Sequence, residues 1–187
     1  MSAITIDVHA GADPSDIESA GDWLSERGIC ATFFTVSCIF EEPGSAAAIR
    51  RLIAQGHEVA SHCHNHDWRE VRALIDGGER DLRFIRESKS RFEDCFGTSP
   101  VAFRSPRWCV VGRAAQDALV NCGYRVDSSA TPQRPAILSS MPYERTWMRS
   151  PRHPYFLADG LLEIPTSCLL IPAGAPSVAI LRSFSLL

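Results

Sequence analysis

Short apolar runs alternate with stretches of helical periodicity along most of the chain. Ile4-Thr5-Ile6-Asp7-Val8 reads as a buried strand. Asp13-Pro14 opens a helix, with Asp13 as N-cap and Pro14 in the first helical position. Ile17, Ala20 and Leu24 fall on one helical face, and Gly28 ends the helix. Ala31–Val36 gives a second strand, Ser45–Gln55 a helix closed by Gly56, and His57–Ser61 a third strand. A long helix runs from about Trp68 to Phe96, with an interruption at Gly77-Gly78. Its later part sets Leu82, Ile85 and Phe92 near one face. Val101–Arg104 reads as a strand, Arg113–Cys122 as a helix ended by Gly123, and Tyr124–Asp127 and Leu161–Pro165 as further strands.

Strand–helix alternation of this kind implies an α/β fold of parallel strands joined by right-handed crossovers. Chemistry in such folds collects at the C-terminal ends of the strands. That rule picks out Asp7 and His9 after the first strand, His62 after the third, Arg104 after the fourth and Asp127 at the end of the fifth.

Composition narrows the class without changing the fold. The 187 residues, 45% hydrophobic and 22% charged, suit one globular domain over positions 1–187. A net charge of −3 gives no electrostatic case for nucleic acid or an anionic membrane. No basic segment followed by an apolar run opens the chain, and no run reaches the roughly 18 apolar residues of a membrane span. A cytoplasmic location is the expectation. The seven cysteines are scattered and form no Cys-x-x-Cys pair, which argues against a disulfide framework or a thiolate zinc site.

The histidines change the picture most. Four of the six lie in "GHEVASHCHNHDW", Gly56 to Trp68. His62 and His66 have the spacing His-x-x-x-His, which on a helical turn puts both rings on one side, within reach of one ion. Imidazole suits zinc, and a catalytic site needs a third protein ligand from another segment. Asp7 and His9 are the nearest candidates. His57 reads as part of the third strand, and His64 as pointing away from the pair.

With these residues in view, the chain resembles the polysaccharide deacetylase family, also known as the NodB-homology or carbohydrate esterase 4 family. Five segments carry the resemblance in order: "TIDVHAG" (Thr5 to Gly11), "GHEVASHCHNH" (Gly56 to His66), "FRSPRW" (Phe103 to Trp108), "GYRVDSS" (Gly123 to Ser129) and "RHPYFLADGLLEIPTS" (Arg152 to Ser167). The resemblance implies a distorted (β/α) barrel, one divalent ion, usually zinc, and hydrolysis of an N-acetyl group on an amino sugar or polysaccharide. It implies that His62 and His66 are metal ligands and Asp7 the general base. Arg104 would hold Asp7 in place and keep it charged, and Asp127 would belong to the polar shell around a charged partner. Trp108, with Pro106, would line the sugar groove.

Two departures accompany the match. By register, the family's metal-binding carboxylate is replaced by His9, which alternation sends to the same strand face as Asp7. A His9–His62–His66 site is chemically sound, since three imidazoles hold zinc in other hydrolases. The family's fifth motif, with its amine-protonating histidine, is not visible in the closing "SVAILRSFSLL" (Ser177 to Leu187), so the last barrel strand is expected to be missing. Relatives of the same fold act on a formamido sugar-lipid or on cyclic ureides such as allantoin. A non-catalytic, carbohydrate-binding member is a third reading.

Overall fold

The predicted strands line up in the sheet in the order in which they leave the chain. In the computed structural model, which describes residues 3–132, 147 and 149–166, these are β1 (Ile4–Val8), β2 (Ala31–Thr35), β3 (Glu58–Ser61), β4 (Ala102–Phe103) and β5 (Val126–Asp127). Each of the first four pairs in parallel with the next in sequence. The sheet continues through β7 (Leu161–Glu163), parallel to β5, and ends in β6 (Tyr155–Ala158), antiparallel to β7. The described residues thus form a mixed α/β architecture with a mostly parallel sheet. The closing segment in which the fifth motif was sought lies outside the described residues.

The crossovers are helical. α1 (Pro14–Ser25) starts at the expected cap, where the Asp13 side chain accepts from the Ser15 N–H. A 3₁₀ turn over Ser37–Glu41 precedes α2 (Pro43–Ala54), which begins two residues before the expected start because Pro43 takes the first turn. The interruption predicted at Gly77-Gly78 divides the long helical stretch into α3 (Trp68–Asp76) and α4 (Arg83–Phe96). A Cβ at Gly77 would stand 2.5 Å from the Ala73 carbonyl oxygen, so only glycine lets the chain leave α3 this closely. α5 (Arg113–Asn121) leads into β5.

The two larger apolar clusters among the described residues pack helices onto strands. One joins Ile17 and Leu24 of α1 and Ile49 and Leu52 of α2 to Phe33 and Val59. The other joins Val71 and Leu74 of α3, Ile85 of α4 and Leu119 of α5 to Phe103, Tyr124 and Leu161. Burial of this kind stabilises by about 25 cal/mol per Å² of apolar surface. It leaves one edge of the sheet polar: Thr35, Ser61, Asp127 and Glu163, each the last residue of its strand, are all fully or almost fully buried.

Candidate active site

The sheet ladder runs on past the strand ends and carries the polar residues with it. The His62 N–H donates to the Thr35 carbonyl (3.0 Å), Arg104 N–H to Ser61 (2.9 Å), Ser128 N–H to Phe103 (2.9 Å) and Ile164 N–H to Asp127 (2.8 Å). His62 and Arg104 therefore leave neighbouring strands side by side. The His62 ring is locked by the second of them: Nδ1 donates to the Arg104 carbonyl at 2.9 Å, which makes Nε2 the lone-pair nitrogen, turned towards His9. His9 follows β1, with its carbonyl accepting from Ala12 N–H in a tight turn.

Three imidazoles meet there. His9 Nε2 lies 3.3 Å from His62 Nε2, the His9 and His66 ring centroids are 4.4 Å apart, and those of His62 and His66 are 4.9 Å apart. One nitrogen from each ring falls within 4.8 Å of the others. Burial pushes the His62 imidazole down to about 4, against a partial counter-effect of the Asp7 charge. Burial, and then the positive form of His9, brings His66 down to about 4 as well. Both rings are thus neutral near pH 7, the state in which imidazole ligates.

The pair does not sit on a helical turn as the spacing suggested. Residues 62–66 form a loop with two non-glycine residues in the left-handed region, Cys63 (φ 67°) and His66 (φ 62°). Groups on other elements hold it. The Cys63 carbonyl accepts from Ser37 N–H (3.0 Å) and the Ser88 hydroxyl (3.1 Å), and the His64 carbonyl from Cys38 N–H (3.1 Å). The N–H groups of His64, Asn65 and His66 turn to the Glu70 carboxylate. Burial pushes Glu70 upward from the usual carboxylate range, and these three donors oppose it. His64 points away from the cluster, with Nδ1 2.8 Å from the Ser37 hydroxyl. His57 is buried elsewhere, between Gly21, Ser25 and the Ala31 N–H.

Asp7 faces Arg104 beside the histidines. Arg104 Nη1 donates to Asp7 Oδ1 at 2.6 Å, Nη2 to the Thr5 and Ser128 hydroxyls (3.1 and 2.9 Å) and Nε to the Ser128 carbonyl (2.9 Å). The guanidinium also stacks on Phe34, 3.9 Å from the ring centre. A buried charge is tolerated only when satisfied in this way.

Asp127 supports this pair indirectly. Its carboxylate accepts from the Ser129 hydroxyl, whose oxygen also takes the Ser105 N–H (2.8 Å). Its register partner on β7 is Glu163, which accepts from Ala130 N–H at 2.9 Å. The other oxygens, Asp127 Oδ2 and Glu163 Oε2, meet no donor from the rest of the described residues, as expected where two carboxyls hold a proton between them. Burial raises both groups, Glu163 to about 10 and Asp127 to about 7. Glu163, Ser128 and Glu70 escaped the sequence reading. Glu163 was visible only as part of "LLEIP", with nothing to say which strand it faces.

Pro106 and Trp108 bound a 3₁₀ turn that follows Arg104. Pro106 is buried and Trp108 half-buried. Arg107 and Trp108 both have positive φ (57° and 51°), and the Arg107 guanidinium lies 4.5 Å from the ring of the exposed Trp68.

The donor set suits a divalent ion of the zinc type. Two nitrogens on a tetrahedral zinc, each about 2.0 Å from it, are about 3.3 Å apart, and His9 Nε2 and His62 Nε2 have that separation. A family profile described as polysaccharide deacetylase matches residues 1–126. The chain belongs to the polysaccharide deacetylase family. Membership places it among hydrolases of carbon–nitrogen bonds of the deacetylase type. Solved structures agree on the fold. One is a Mycobacterium smegmatis protein assigned to the polysaccharide deacetylases (TM-score 0.65, 19% identity, 98% of this chain and 70% of that one). Another is IcaB from Ammonifex degensii (TM-score 0.62, 17% identity, 95% and 71%). A third is the chitin deacetylase of the fungal pathogen Colletotrichum lindemuthianum (TM-score 0.54, 25% identity, 67% and 54%). The fold of these relatives is a distorted (β/α) barrel, the class expected from the sequence. The chain spans only about half the length of the chitin deacetylase. No curated protein matches it significantly.

Proposed function

We propose that this chain hydrolyses the N-acetyl group of an N-acetylated amino sugar within a polysaccharide, using one divalent ion, zinc by preference, held by His9, His62 and His66. The observation that carries the reading is the meeting, at one sheet edge, of three imidazoles and an arginine-bound carboxylate. A divalent ion held there supplies Lewis acidity towards an amide carbonyl and acidifies water. Asp7, beside the cluster, is the base that accepts the proton of the attacking water. Arg104 fixes the Asp7 carboxylate through Oδ1, which leaves Oδ2 for that proton. Trp108, in the turn that Pro106 opens, supplies an aromatic face against which a sugar ring packs.

The test is acetate release from chitin oligosaccharides and from peptidoglycan fragments by zinc-supplemented protein, beside formamido-sugar and cyclic ureide substrates. Acetate release by the wild type, lost in Asp7→Asn with zinc content retained, supports the reading. Turnover of the ureide or formamide alone moves the substrate class. Zinc and sugar binding with no turnover of any substrate leaves a carbohydrate-binding member.

A further inference from the structure

The His62–His66 loop has an unusual anchor, and its meaning rests on the metal reading above. We propose that Glu70 is a positioning residue for the histidine cluster: its carboxylate gathers the N–H groups of His64, Asn65 and His66 and so holds His66 in the left-handed conformation that brings its ring to His9 and His62.

The local alternative is a helix cap. Asp67 is the N-cap of α3, accepting from Arg69 and Glu70 N–H (2.8 and 2.9 Å), and Glu70 is three residues further on, the spacing of a capping box. In that motif the glutamate folds back on the N-cap residue's own N–H. Here its hydrogen bonds reach past Asp67 into the loop. Oε1 takes His64 N–H at 3.0 Å and Asn65 N–H at 2.9 Å, and Oε2 takes His66 N–H at 2.7 Å, the shortest of the three. Three successive N–H groups converging on one anion form a backbone nest. Glu70 is itself buried.

The nest accounts for a conformation that the residues would not choose. Cys63 and His66 are side-chain-bearing residues at φ 67° and 62°, where only glycine is at ease. The Cys63 and His64 carbonyls are held by Ser37, Cys38 and Ser88 of other elements. With carbonyls and N–H groups fixed by different elements, the loop has one arrangement, and that arrangement presents His66 beside the other two rings. Without Glu70, three N–H groups lose their acceptor, and His66 loses the 2.7 Å bond that fixes its N–H. The histidines would remain, but their convergence would not be preset, and ligand convergence is what partners behind the ligands supply.

The experiment is zinc titration of the full chain by calorimetry, with cobalt(II) visible absorption as a second readout. Its variants are Glu70→Ala, Glu70→Gln and Val71→Ala. Glu70→Gln keeps the side-chain volume but turns one acceptor into a donor facing an N–H. Val71→Ala damages the same helix in its buried apolar face and removes none of the acceptors of the three loop N–H groups. The expected result is a zinc Kd raised on the order of 10- to 100-fold in both Glu70 variants, with an altered cobalt spectrum. Val71→Ala lowers thermal stability and leaves the Kd within about threefold. Wild-type zinc affinity in a folded Glu70→Gln protein overturns the positioning role and spares the metal reading. Equal loss of affinity in Val71→Ala overturns it too, because helix stability would then be the whole effect. A wild type that binds no zinc removes the metal reading and this proposal together.

Discussion

Arg104 and Asp7 stand 97 residues apart in sequence and are joined by a 2.6 Å bond between a guanidinium and a carboxylate that are only 3% and 15% exposed. The pair ties β1 to the loop after β4 across the face of the sheet. Four directed donors and a ring contact around Arg104 make the arrangement stiff. Removing one partner strands the other. Arg104→Ala is therefore expected to cost about 3–5 kcal/mol of stability, the range for breaking a buried ion pair. Asp7→Asn leaves an oxygen to accept from Arg104 and should cost much less. Urea unfolding of the two variants checks the order, and equal losses would mean that the pair is not the tie described.

Arg104→Lys separates charge from shape. Lysine keeps the positive charge but has no planar fork and cannot reach Asp7, Thr5 and Ser128 together. Acetate release should fall on the order of 100-fold or more, as expected when a catalytic base is misplaced. Zinc content should stay near that of the wild type, because the lysine backbone carbonyl still holds His62 Nδ1. Loss of zinc in this variant would show that the Arg104 side chain, and not its carbonyl, governs the metal site.

The Asp127–Glu163 pair predicts a pH dependence of stability. Burial raises both carboxyls, to about 7 and about 10, whereas unfolded chains ionise near 4. Between these limits the folded protein holds protons that the unfolded chain has lost. Stability then falls as pH rises, with a slope of up to about 1.4 kcal/mol per pH unit for each such proton. The depressed imidazoles, His62 and His66 at about 4, act in the opposite sense, and below about 6.5 only. The window is therefore pH 7 to about 8, below the range in which the thiols of the unfolded chain ionise. Across it the wild type should lose stability steadily, and Glu163→Gln, which is neutral throughout, should lose less. Parallel urea midpoints for the two proteins over that window would argue against a protonated Glu163.

Zinc should stabilise the protein by mass action. At free zinc about 100 times Kd the gain is about 2.7 kcal/mol, visible as a raised Tm that a chelator reverses. His62→Ala with His66→Ala should show no zinc-dependent shift. A full shift in that double variant would place the ion elsewhere.

How much of this could be read beforehand follows from what each feature depends on. β1 to β5 were visible because an apolar run bounded by a helix start or a glycine is a local signal, and parallel order then puts Asp7, His62, Arg104 and Asp127 at one edge. β6 was not seen: Tyr155–Ala158 is a four-residue edge strand defined by its hairpin with β7. The His62–His66 spacing suggested one shared site, but through the wrong geometry. A helical turn and a nested loop place residues four apart equally close, and only the acceptor, Glu70, separates them. Asp67 and Glu70 carry a capping-box spacing that announces the start of α3 but not the longer reach of the glutamate. Glu163 could not be matched to Asp127 without knowing that β7 lies against β5.

His9 stands where the resemblance to the family implies a carboxylate, and its substitution is the sharpest test of the site. The Nε2 atoms of His9 and His62 stand at the spacing of two ligands on one ion, yet His9 is exposed, follows β1 and is held by a turn rather than by the sheet ladder. His9→Asp restores the carboxylate of the family pattern and one negative charge. An aspartate arm is shorter than an imidazole, so an ion seated on three rings has to move towards β1 to keep that ligand. If His9 works as the third ligand in this chain, His9→Asp should change the preference between zinc and harder divalent ions and should not raise acetate release. If His9 weakens a site that otherwise functions, the same variant should tighten zinc binding and raise release. His9→Ala completes the comparison: zinc affinity lowered by 10-fold or more assigns a ligand role, whereas unchanged affinity removes His9 from the metal site and leaves His62 and His66 to bind with a donor from another residue.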